Sequence, residues 1–123
     1  MYEKIVLKRT SRLKAGHQWV FSNEIKSDIK KIEPGSIVDL YDNKNNFMGR
    51  GYLNPHSLIS VRILNKDQEE IDRDFFRKRI KKAIDYRKEF FLQRDAYRVI
   101  FSEGDFLPGL IVDKYSEWLV IQI

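Results

Sequence analysis

The sequence predicts an α+β chain: a small β-barrel followed by an incomplete α/β unit with one long helix and about three strands. Three observations carry this expectation. Up to about residue 66, short segments of alternating polarity are separated by turn signals such as Pro34-Gly35 and Asn54-Pro55. From Asp72 to about Arg94 there is no Pro or Gly, and apolar residues recur at helical spacing. Beyond that stretch, short β-like segments return and the last of them, WLVIQI, is apolar to its end.

The elements follow in order. Residues 3–9 place Ile5 and Leu7 on one face of a strand, with Glu3 and Arg9 at that face's two ends. The rhythm then changes. Thr10 or Ser11 caps a short helical turn that Gly16 ends, and Trp19, Val20 and Phe21 form an apolar cluster. Residues 24–31 are polar and irregular. After Pro34-Gly35, strands are expected over 36–41, 47–53 and 58–64, with the polar run 42–46 at a hairpin tip. Strands this short, at this spacing, predict a small barrel. In the helix, Phe76, Ile80, Ala83, Ile84, Arg87 and Phe91 make a stripe that Phe75 and Phe90 widen. Asp72 and Asp74 lie at its start, where the helix dipole favours negative charge. Its other face carries Arg73, Lys78, Lys81, Lys82 and Lys88, with Asp74 and Lys78 spaced to pair. Strands at 97–101, 110–115 and 118–123 complete the pattern, the last two joined through Ser116-Glu117. A terminal strand this apolar invites pairing with another chain, so the second unit is expected to be truncated.

Composition narrows the chemistry. The chain has 123 residues, a formal charge of +5 and no cysteine. A thiolate nucleophile, a zinc–thiolate site and an iron–sulfur cluster are therefore excluded within it. Its two histidines, His17 and His56, have no ligand-like spacing, and neither GxGxxG nor GxxxxGK[ST] occurs, so no metal, no cofactor-binding and no catalytic residue is expected here. No stretch is long and apolar enough to span a membrane, and the first residues lack the apolar segment of a signal peptide, so the expected location is cytoplasmic. The isoelectric point near 9.4 favours polyanionic partners.

The basic charge is concentrated. Lys8, Arg9, Arg12 and Lys14 fall within seven positions, followed by the aromatics Trp19 and Phe21. Cations pair with phosphates and an exposed ring stacks on a base. The four cations are expected to contact RNA, whereas Trp19 and Phe21 read as core residues. Arg50, between Gly49 and Gly51, is expected to be presented on an RNA-lining strand that bulges or is closely approached by another backbone. Arg62 alternates with Val61 and Ile63 and points away from them, toward phosphate or toward a carboxylate such as Asp39. In the segment 98–115, Glu103, Asp105 and Asp113 are acids without a pocket. Glu103 and Asp105 are expected to hold the loop by accepting from backbone amides or pairing with Arg98, while Pro108-Gly109 fits a type II turn.

Three stretches together, RLKAGHQWVFSNEI, GYLNPHSLISVRIL and FSEGDFLPGLIVDKY, resemble the S-adenosylmethionine-dependent methyltransferases that make 5-methylcytosine in large-subunit ribosomal RNA. The resemblance covers almost the whole chain. It implies that residues 1–68 are a PUA domain, an RNA-binding β-barrel, and that 70–123 are the first part of a linking domain. It further implies that the catalytic domain, with its S-adenosylmethionine and its attacking cysteine, is absent from this chain. Gln18 stands where that family usually has Pro, which frees one backbone angle. The expected partner is ribosomal RNA, with Lys8, Arg9, Arg12, Lys14, Arg50 and Arg62 as contacts, no membrane, and a homodimer as a further association. Two other classes stand beside this one: a stand-alone RNA-binding or self-association module, and an autonomous enzyme using Glu103, Asp105 and Asp113.

Overall fold

A computed structural model describes residues 1–91 and 93–123 and divides the chain into two compact units, Met1–Glu69 and Glu70–Ile123. The first unit holds strands β1 (Glu3–Val6), β2 (Trp19–Phe21), β3 (Ser36–Tyr41), β4 (Phe47–Leu53) and β5 (Ile59–Asn65), with the one-turn helix α1 (Ser11–Lys14) between β1 and β2. The strands form one mixed sheet in the order β1-β3-β4-β5-β2, in which only β1 and β3 run parallel.

Alternation explains the sheet. Val38 and Leu40 on β3, Leu53 on β4, and Val61 and Ile63 on β5 turn one face inward, where they meet Ile5, Leu7, Leu13 and Val20 in a single core. The α+β class with two sheets is as expected. In the first unit the sheet order is open, and its two ends meet through a single antiparallel bridge between Leu7 and Ile25 rather than through a ladder. The amide of Lys26 donates to the carbonyl of Val6 (2.8 Å) and that of Lys8 to the carbonyl of Glu24 (2.9 Å), which completes the seam.

Turn chemistry sets the hairpins. Pro34-Gly35 makes a turn in which the Ser36 amide donates to the carbonyl of Glu33 (3.1 Å) and Gly35 has φ +91°. Gly51 sits where β4 bulges against β5, and a side chain there would lie 2.2 Å from the carbonyl oxygen of Arg62. Only glycine allows that approach, as the close-backbone reading of the Gly49–Gly51 stretch anticipates.

The second unit packs helix α2 (Arg73–Phe91) against the antiparallel sheet β6 (Ala96–Phe101), β7 (Ile111–Tyr115) and β8 (Trp118–Gln122). Asp72 caps α2 by accepting from the amide of Phe75 at 2.9 Å. Ala83, Val99, Ile100, Leu107 and Val112 form the core, with Ile80 and Ile84 packed against it. Phe90 is 60% exposed and does not widen the buried stripe. The expected extension of the helix to about Arg94 includes Leu92, which lies outside the described residues. On the polar face Asp74 pairs with Arg77 rather than Lys78, and Lys81 pairs with Asp85. Strand β8 occupies the sheet's edge and is exposed on both faces. Among the described residues, no helix is long and apolar enough to cross a membrane.

Candidate nucleic-acid interface

The basic turn is built by local capping. In α1 the amides of Gly16 and His17 donate to the carbonyls of Leu13 and Arg12, both at 3.0 Å, and Gly16 has φ +95°. This is a Schellman closure, which requires a residue that tolerates the left-handed region at position 16. Leu13 is buried and anchors the turn to the core, so its neighbours Arg12 and Lys14 are left exposed. Thr10 occupies the capping position, but its side chain makes no capping bond.

A buried residue overlooked in the polar run orders the other half of this surface. The amides of Lys8 and Arg9 both donate to the carbonyl of Glu24. Glu24 is 6% exposed, and its carboxylate accepts from the amide of Phe21 at 3.0 Å. Lys8 and Arg9 are exposed. Four cations thus surround a turn that is tied to the sheet at Leu13 and at Glu24. The sequence signal for Glu24 was weak, because an isolated acid in a polar run looks solvated.

The aromatics do not go where the sequence reading puts them. Val20 enters the core, so Trp19 and Phe21 emerge on the sheet's other face. Trp19 is 38% exposed. The guanidinium of Arg62 lies over its ring, 5.1 Å from the centroid, and that of Arg12 lies 4.8 Å from the centroid of Phe21. The sequence carried little signal for this, because all three residues of the WVF triplet are apolar and only the turning of side chains along a strand separates Val20 from its neighbours.

Arg50 is the other correction. Its guanidinium is not presented to solvent: the residue is 7% exposed and bonds both carboxylate oxygens of Asp39, at 2.5 and 2.9 Å. A third contact goes to the carbonyl of Glu69, and the ring of Tyr2 lies 4.2 Å away. The cause is register. Asp39 and Arg50 are direct cross-strand partners on β3 and β4, and a buried cation holds its place only beside a matched acid. Asp39 is therefore committed to Arg50, and Arg62 points to Trp19 instead.

In the second unit Asp105 and Asp113 are each engaged by an arginine. Asp105 accepts from the amide of Phe101 (2.6 Å) and takes both terminal nitrogens of Arg87. Arg98 pairs with Asp113 rather than with Glu103 or Asp105, and its hydrogen bond holds the Asp113 carboxyl below the usual range. Gly109 has φ +87° and the Leu110 amide donates to the carbonyl of Leu107, as the type II turn requires.

Fold and surface together define the class: a small β-rich domain with an ordered basic turn, joined to an α+β unit. A family model described as a PUA-like domain matches residues 5–66, just over half of the chain, and the chain belongs to that family. It is similar to the ribosomal RNA large subunit methyltransferase I of Vibrio cholerae, with 38% identity across 97% of this chain, and to that of Pseudoalteromonas atlantica, with 36% across 98%. The chain spans 30% of the length of each of these relatives. Its fold also matches a Streptococcus mutans protein proposed to be an S-adenosylmethionine-dependent methyltransferase, with a TM-score of 0.81 at 22% identity, covering 97% of this chain and 32% of that one. A similar structure of a proposed methyltransferase holds SAH and gives a TM-score of 0.83, again over 32% of its length.

Proposed function

We propose that this chain is the RNA-binding front of an S-adenosylmethionine-dependent methyltransferase that modifies cytosine C5 in large-subunit ribosomal RNA in the cytoplasm. The observation that carries the reading is the exposed basic turn, Lys8, Arg9, Arg12 and Lys14, held rigidly on a PUA-like sheet. Its support is the description of the relatives as ribosomal RNA methyltransferases. Arg62 adds a fifth cation, and Arg50 acts from inside as a strut.

The chemistry assigned to the parent protein needs a methyl donor and a nucleophile that attacks the pyrimidine ring. The 123 residues contain no cysteine, so that step belongs to other parts of a protein of the relatives' length. What this chain contributes is affinity and orientation. Phosphate contacts fix register on RNA without reading sequence, so the turn positions the target rather than selecting the base.

The test is a salt titration of binding to fragments of large-subunit ribosomal RNA. Affinity is expected to fall steeply with salt. Substituting all four turn cations by Ala lowers the logarithmic slope by about 0.7 per lost contact on a single strand. Absence of binding at low salt, or a slope unchanged in the quadruple variant, overturns the reading. A second reading, a module whose role is self-association, rests on the exposed edge strand β8.

A further inference from the structure

We propose that Trp19 and Arg62 form a stacking platform for an unpaired nucleobase of the bound RNA. The inference deepens the RNA-binding reading above and rests on it. Trp19 on β2 is the direct cross-strand partner of Arg62 on β5, and Arg62 is in turn the partner of Tyr52 on β4. Direct partners stand side by side on one sheet face, so three planar groups lie in a row. The core side of the same strands is taken by Val20 and Val61, each 1% exposed or less.

Trp19 is 38% exposed, so part of its ring is open to a ligand, and the groups around it favour a base. The carbonyl of Gln18 accepts from the amide of Ile63 at 2.8 Å, which pins the backbone immediately before Trp19 to β5. The Arg62 guanidinium lies over the indole and holds it in place, so little ordering remains when a base arrives. Arg12, over Phe21 two residues along β2, brings the basic turn to the same strand. Rings bordered by cations suit a nucleotide, which offers a π-face and a phosphate together, better than they suit an apolar peptide. A base inside a duplex has both faces occupied by its neighbours, so the platform selects single-stranded or looped-out nucleotides.

The experiment uses the full 123-residue chain with Trp118→Phe, which leaves Trp19 as the sole tryptophan. Single-stranded oligoadenylate of about 10 nucleotides and an RNA duplex of the same length are the probes. The single strand is expected to quench Trp19 fluorescence and the duplex is not. Trp19→Ala is expected to weaken single-strand binding about tenfold while the salt slope stays as in the parent, and Trp19→Phe to recover most of the loss. Quenching in the unsubstituted site reports stacking even if Trp19→Ala fails to fold. Single-strand binding with the expected salt slope but without quenching overturns the platform and leaves the basic turn standing. No RNA binding at low salt overturns both.

Discussion

Arg50 and Arg62 stand on adjacent strands and are used in opposite ways. Arg50 is buried against Asp39, with which it makes two hydrogen bonds. Removing one partner of such a pair leaves an uncompensated charge in a low-dielectric site, so Asp39→Ala is expected to cost about 3–5 kcal/mol in denaturant unfolding. Adding Arg50→Met to that variant is expected to restore most of the loss, because an apolar chain of similar volume no longer needs the acid. Equal instability in the single and double variants would show that the pair matters through the Glu69 contact or packing instead. Arg62 was legible in part, since its alternation with Val61 and Ile63 shows that it leaves the core. Its choice of Trp19 over Asp39 was not legible, because Asp39 lies across a hairpin from Arg50 and the pairing depends on a register set by the turn. Gln18, where the resembling family usually has Pro, carries a buried side-chain oxygen with no hydrogen-bond partner among the described residues.

The β3–β4 hairpin shows how one side chain organises an element. The Asp42 carboxylate accepts from the amides of Lys44 and Asn46 and from the side-chain amide of Asn46, at 2.8–3.0 Å. These bonds, with the Asn46 side chain first, hold its carboxyl below the ordinary range. A depressed carboxyl contributes stability that is complete above the ordinary carboxylate range and is lost as pH falls through the depressed value. The Asn46 amide resonance is therefore expected to titrate below the range of exposed acids, and Asp42→Asn to abolish that titration. A midpoint at the ordinary value would contradict the bond pattern. Asn45, with φ +66°, fits the left-handed position that asparagine tolerates. Polar turn residues made this hairpin readable from the sequence. Helix α2 was equally readable, because a run without Pro or Gly carries its own periodicity, and Asp72 caps it as its position implies. The one-turn α1 was legible from Gly16, whereas the role of Glu24 was not, since burial of an acid depends on the seam formed by distant segments.

The chain as a whole pairs an ordered basic surface with an exposed apolar edge. On β8, Trp118, Leu119, Val120 and Ile121 are 46–70% exposed, and an edge of that kind is a template for another strand. Light scattering of the 123-residue chain is expected to show association that grows with concentration and that Val120→Lys removes. Val120 faces Asp113 across the ladder, so the new cation is tolerated within the sheet. Association that survives this substitution would assign it to another surface. The α+β class, the hairpins, the long helix and the concentration of charge around Arg12 were determined by the sequence itself, because propensity, turn chemistry and periodicity act over a few neighbouring residues. The tertiary structure alone decided that Arg50 turns inward to Asp39, that Trp19 stands outside under Arg62, and that Arg98 selects Asp113. Each of those outcomes depends on strand register and burial, which bring together residues far apart in the chain and decide which charge is left in water.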